Sequence, residues 1–159
     1  PRGEPETREV HMPEEVLEKR TCARFRIPGA TVAYKREKSL FKRSPEYGGE
    51  FLPMLDISRG GIRFLSVGPV SLDTRLHLSI QVPGDPNPLK MDGIVRWSAP
   101  NIGQSFKHQI GVQFAPYGDK KGMNYPGTLV KIIAYEQKFL DDTTVIKDET
   151  GGRGSTFSI

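Results

Sequence analysis

Disulfide chemistry is excluded at the outset, because Cys22 is the only cysteine in 159 residues and one thiol cannot close an internal bridge. That fits a reducing, cytoplasmic setting. Long hydrophobic runs are missing too: none approaches the ~20 apolar residues that span a bilayer, and no signal-peptide pattern opens the chain. Histidine is scarce, and His11, His77 and His108 have no metal-ligand spacing, so no metal site is expected. No G-x-S-x-G, Walker A or G-x-G-x-x-G pattern occurs, and Cys22 has no histidine near it in sequence. No nucleophile–base pair can be picked out, and the chain is read as a non-enzyme. Charge of one sign is only mildly in excess: 23 Lys and Arg against 19 Asp and Glu give +4. This tilts toward an anionic partner without demanding one.

Turn residues are what the chain has in quantity, 17 glycines and 13 prolines, with no repeat period. They separate six short strand-like runs: residues 30–34 (ATVAY), 51–58 (FLPMLDIS), 62–66 (IRFLS), 75–82 (RLHLSIQV), 90–98 and 109–114. In the fourth, Leu76, Leu78, Ile80 and Val82 alternate with Arg75, His77, Ser79 and Gln81. Ile110, Val112 and Phe114 share one face of the sixth. Six strands with one apolar face each predict an all-β fold, a six-stranded antiparallel β-barrel, since closure removes exposed edges. A C-terminal α-helix is expected over residues 124–140, capped by Asn124, with Leu129, Ile132, Ile133, Tyr135, Glu136, Phe139 and Leu140 along one stripe. The domain expectation is a flexible arm at 1–16, a barrel with its arginine loop at 17–118, the helix within 119–140 and a disordered tail at 141–159. Residues 39–49 form a long loop. The chain begins at Pro1 rather than Met, so further domains of a longer protein are expected.

Two stretches carry candidate chemistry. In "LDISRGGIRF", Asp56 and Ser58 lie two apart on a strand and share a face, while Phe51, Leu55 and Ile57 have the opposite parity and are expected in the core. Gly60 and Gly61 permit positive φ and a close backbone approach. This can be a plain Asp/Ser/Gly turn satisfying its own N–H groups. It can equally present a carboxylate and a hydroxyl to a planar group with two adjacent donors, such as the guanine N1–H and N2–H2 edge. In "KRTCARFRIPG", Arg20 and Arg24 stand four apart, able to meet phosphate oxygens or guanine O6 and N7. A solvated basic surface is the plainer alternative. Trp97 alternates with Val95 and is assigned to the core.

Together, Arg-x-x-x-Arg followed by Asp-x-Ser-x-x-Gly resembles the PilZ domain, a bacterial receptor module for cyclic di-GMP. Arg20, Arg24, Asp56, Ser58 and Gly61 match its two motifs, "GIVRWS" and "HQIGVQF" look like its later strands, and the likeness covers residues 17–116. The resemblance implies a six-stranded barrel crossed by a flexible arginine loop that closes on the dinucleotide. Arg20 and Arg24 would bind phosphate and guanine; Asp56, Ser58 and Gly61 would bind guanine from the strand side, with Lys19 and Gly60 as further candidates. No cofactor is implied beyond the ligand itself. Partners would be cyclic di-GMP and a downstream protein or further domain, with no DNA and no membrane segment. The rival from the residues alone is a small barrel binding single-stranded nucleic acid. Such a barrel displays stacking aromatics outward, whereas Trp97 and Phe114 follow inward parity.

Overall fold

A computed structural model describes residues 23–37 and 47–152. The expected arm, Lys19, Arg20, Cys22, His11, most of the 39–49 loop and residues 153–159 lie outside them. Six strands run β1 Thr31–Arg36, β2 Tyr47–Ile57, β3 Gly61–Ser66, β4 Arg75–Gln81, β5 Leu89–Pro100 and β6 His108–Phe114. They close an antiparallel barrel in the order β1-β2-β3-β6-β5-β4, as the patterning predicts. Alternation fills its interior. Leu76, Leu78 and Ile80 of β4 and Ile110, Val112 and Phe114 of β6 are buried, joined by Val32, Tyr34, Phe64 and Val95. Burying each such side chain contributes about 1.5–3 kcal/mol against chain entropy.

Simple alternation fails at several register shifts, and two of them matter for the outer face. β2 shifts register against β3 between Met54 and Asp56. The inward set is therefore Leu52 and Met54 before the shift and Ile57 after it. Phe51, expected in the core, adopts φ 56° and is 78% exposed, and Leu55 is only half-buried. β5 shifts against β6 between Val95 and Trp97, leaving Arg96 as the extra residue. One inserted residue reverses every later side chain. Trp97 is thus turned out of the core and stands 42% exposed.

The helix, α1, spans Pro126–Gly152, running on past Leu140, where it was expected to end. No glycine or proline interrupts residues 128–150, and a polar stretch without breakers propagates a helix already begun. Asn124 is not its cap. It is buried, and its amide bridges two strand ends, donating to Asp92 O (3.0 Å) and Ala115 O (2.9 Å) and accepting from Asp92 N (2.8 Å).

Only Ile132 of the expected stripe is fully buried, with Tyr135, Phe139 and Leu140 packed beside it. Polar contacts complete the docking. The Tyr135 hydroxyl donates to Asp85, Lys131 Nζ lies 2.9 Å from the same carboxylate, and Arg59 Nε donates to Glu136 at 2.9 Å. Burial, then the Asp85 bond, pushes the Tyr135 hydroxyl up to about 12. The Tyr135 bond, with Lys131 next, pulls the Asp85 carboxyl down to about 2. The unfolded chain releases the tyrosine proton near ~10, so stability is lost as pH rises from there toward 12. For Asp85 the contribution is complete above ~4 and lost as pH falls toward 2. Thermal melts should show Tyr135→Phe losing less between pH ~10 and ~12 than the wild-type chain, by a few degrees. Parallel alkaline profiles would contradict this docking.

Candidate functional site

The β2–β3 hairpin is the scaffold, and each turn residue is tied down. Ser58 N donates to Gly61 O (2.8 Å), and Gly60 N donates to the Ser58 hydroxyl (3.2 Å). Phe114 N donates to Gly60 O (2.9 Å), and the Tyr117 hydroxyl donates to Arg59 O (2.6 Å). The plain-turn account thus describes Ser58 correctly. Neither Gly60 nor Gly61 adopts positive φ. Gly61 is needed for close packing instead: a Cβ there would stand 2.5 Å from Val112 O. At Gly60 the same addition would meet nothing within 4 Å.

Asp56 does something a turn does not require. Its side chain is 10% exposed, on the outer side of the barrel wall, and two guanidinium groups of the described residues cover it. Arg24 Nη1 donates to Oδ1 at 3.0 Å. Arg63 Nε lies 3.1 Å from Oδ1 and 3.0 Å from Oδ2, and its Nη2 donates to Oδ2 at 2.5 Å. Sheet register enforces the second pairing, because Asp56 and Arg63 are direct cross-strand partners. These hydrogen bonds hold the Arg63 pKa above the ordinary guanidinium value, against an opposing effect of burial.

Arg24 arrives from the chain before β1, where Phe25 and Ile57 exchange two backbone bonds of 2.9 Å. Phe25 and Ile27 are buried. The arginine loop, expected to be flexible, is anchored to β2 from Phe25 onward, and Arg24 is the first side chain beyond the anchor.

Beside this cluster opens a cavity of about 490 Å³. Arg24, Arg63 and Arg96 supply its charge, and Gly60, Gly61, Gly111, Val112, Trp97 and Gln113 complete its lining. Trp97 lies against bare backbone: a Cβ at Gly111 would be 3.1 Å from the Trp97 Cβ and 3.2 Å from its Cε3. Arg63 Cζ stands 6.0 Å from the Trp97 ring centroid, within cation–π range. Arg96 is held by Gln113 (3.0 Å) and Asp73 (2.8 Å). A smaller cavity of about 290 Å³ shares Arg96 and Gln113 and extends toward His77 and Asp92, away from the hairpin motif.

Of the residues predicted from sequence, Arg24, Asp56, Ser58, Gly60 and Gly61 meet at this corner; Lys19 and Arg20 lie outside the described residues. Sequence reasoning missed Arg63, Arg96 and Trp97. Arg63 had a signal, since it mirrors Asp56 across the Ser58–Arg59–Gly60 turn. Arg96 and Trp97 had none, because a bulge is invisible to parity. His77 is exposed and bonded to Asp92 (2.7 Å). No cluster of metal-ligating side chains occurs among the described residues, and no described helix is long and apolar enough to cross a membrane.

Fold and site define a closed antiparallel barrel module with a cationic, tryptophan-walled cavity over one hairpin. The chain belongs to the PilZ domain family, whose model matches residues 18–125. Among solved structures it is similar to K. pneumonia MrkH in complex with c-di-GMP, at 17% identity and TM-score 0.51, covering 80% of this chain and 54% of that one. It is also similar to the Bacillus subtilis inhibitor of motility MotI/DgrA, at 14% identity and TM-score 0.47, covering 72% and 47%. The chain thus spans about half the length of either structure. No curated protein sequence matches it.

Proposed function

We propose that this chain is a non-enzymatic receptor for cyclic di-GMP, with its site in the cavity over the β2–β3 hairpin. One observation carries the reading: a buried carboxylate with oriented oxygens lies directly behind a cavity whose cations and indole suit phosphates and a purine face. Membership of the PilZ family supports it.

Asp56 does not itself line the cavity; Arg24 and Arg63 stand in front of it. A guanine edge donating N1–H and N2–H2 to Asp56 therefore takes the place of Arg24. The released Arg24 can turn to guanine O6 and N7 or to a phosphate, with Arg20 and Lys19 closing from the preceding segment. Ser58 and Gly61 shape the guanine subsite, Ser58 through its turn and Gly61 by letting β3 lie close on β6. Occupancy would be transmitted as ordering of the residues before Arg24, offering a new surface to a downstream protein or domain. Trypsin reads this directly. Cleavage after Lys19 and Arg20 should slow sharply when cyclic di-GMP saturates the chain, while Arg26, between the anchored Phe25 and Ile27, should resist cleavage throughout. Equal cleavage after Arg20 with and without ligand would rule out loop ordering as the signal.

A second reading retains one observation. Trp97 faces outward, so the parity argument against a single-stranded nucleic-acid barrel no longer holds at that residue. Calorimetry with cyclic di-GMP, GMP and short oligonucleotides separates the two. The receptor should give a saturable isotherm with the dinucleotide and only mild weakening by salt. A steep salt slope with oligonucleotides, and no heat with the dinucleotide, would favour the second reading.

A further inference from the structure

Among the described residues Asp56 has two guanidinium partners, and they differ in how they are held. Arg24 is attached through one oxygen, from a segment that precedes the barrel, and its side chain is 52% exposed. Arg63 grips both oxygens from the neighbouring strand, in a register pair, with its side chain 35% exposed. If guanine takes one place at this carboxylate, the geometry favours loss of Arg24 and retention of Arg63. A carboxylate offers about four acceptor positions, so Arg63 can remain bound while two others face the ligand.

We propose that Arg63 is a positioning residue of the site, holding the Asp56 carboxylate oriented for the guanine edge. The inference rests on the cyclic di-GMP reading above and adds a residue outside the two motifs. Arg63 works in two ways. Its charge offsets the cost of holding a carboxylate nearly out of water. Its planar fork fixes the carboxylate plane, which an ammonium cannot do. The Trp97 ring centroid stands 6.0 Å from the guanidinium carbon, a second contact for it. The groups facing Asp56 among the described residues are Arg24, ahead of β1, and Arg63 on β3, with Arg96 of β5 across the cavity. No described histidine lines that cavity.

The test is calorimetric titration of cyclic di-GMP and, separately, of cyclic di-AMP into the wild-type chain, Arg63→Gln and Arg63→Lys. Only an oriented carboxylate tells the paired guanine donors from adenine. The wild-type chain should therefore prefer cyclic di-GMP by roughly tenfold or more. Arg63→Gln should bind cyclic di-GMP roughly 10- to 150-fold more weakly and lose that preference. Arg63→Lys restores charge without the fork, so its affinity and its preference should both be intermediate. Should the Gln variant not fold, the Lys variant still decides: wild-type affinity there would overturn the orienting role. Equal losses for both dinucleotides in Arg63→Gln, with the preference kept, would mean a merely structural residue and overturn the proposal. Tighter binding by that variant would show Arg63 to be a competitor of guanine and overturn it likewise. No binding by the wild-type chain would instead bring down the cyclic di-GMP reading, and this inference with it.

Discussion

Asp56→Ala is expected to weaken cyclic di-GMP binding roughly 10- to 150-fold, the cost of a lost charge-assisted hydrogen-bond pair, while the barrel stays folded. The carboxylate supplies the only oriented acceptors aimed at a guanine Watson–Crick edge in this account. Removing it leaves Arg24 and Arg63, whose side chains are 52% and 35% exposed and can be solvated. The apolar core does not depend on it, since Ile57, Ile62 and Phe64 fill the interior on the other side of the wall. Calorimetry and a thermal melt on the same sample check both halves. Undiminished affinity would remove Asp56 from the site, and global unfolding would make it a structural residue.

The second large effect falls on stability. Gly61→Ala places a Cβ 2.5 Å from the Val112 carbonyl oxygen, in the backbone of β6. Backbone cannot rotate aside, so β3 and β6 must separate at the Gly61–Gln113 pair. Overpacking of this kind costs about 1–3 kcal/mol, and each 1 kcal/mol lowers Tm by about 2–8 °C over the range of sizes that brackets this domain. Gly60→Ala is the control, because its added methyl meets nothing within 4 Å, and it should stay within ~0.5 kcal/mol of wild type. Two adjacent glycines of one motif thus separate cleanly. If Gly61→Ala melts like the wild-type chain and only its ligand affinity falls, that glycine serves the ligand and not the barrel.

Much of the barrel was legible because its strands obey a simple period. Leu76, Leu78 and Ile80, and likewise Ile110, Val112 and Phe114, point inward as alternation requires. What alternation could not show was where it stops. Bulges near Leu55 and at Arg96 insert one residue each, which sends Phe51 and Trp97 outward against expectation. Asn124 misled for a different reason: an asparagine before a helix suits a cap, and only the folded chain brings Asp92 and Ala115 to its amide. At the site, Arg24 and Asp56 were found from motif chemistry, and they do meet at 3.0 Å. Arg63 was passed over because it was counted with the strand and not with the turn. Pairing across the hairpin makes it the closest partner of Asp56 among the described residues.

Trp97 provides the most direct measurement of the central claim. It is the only tryptophan in the chain and it walls the cavity, so its fluorescence reports that site alone. Titration with cyclic di-GMP should change the emission saturably. Cyclic di-AMP, which lacks the paired N1–H and N2–H2 donors, should need at least tenfold higher concentration if one charge-assisted contact is lost, a factor at the low end of its usual range. Asp56→Ala should erase that difference. An emission unmoved by cyclic di-GMP, or moved equally by both dinucleotides, would contradict the assignment of this cavity as a guanine-selective receptor site.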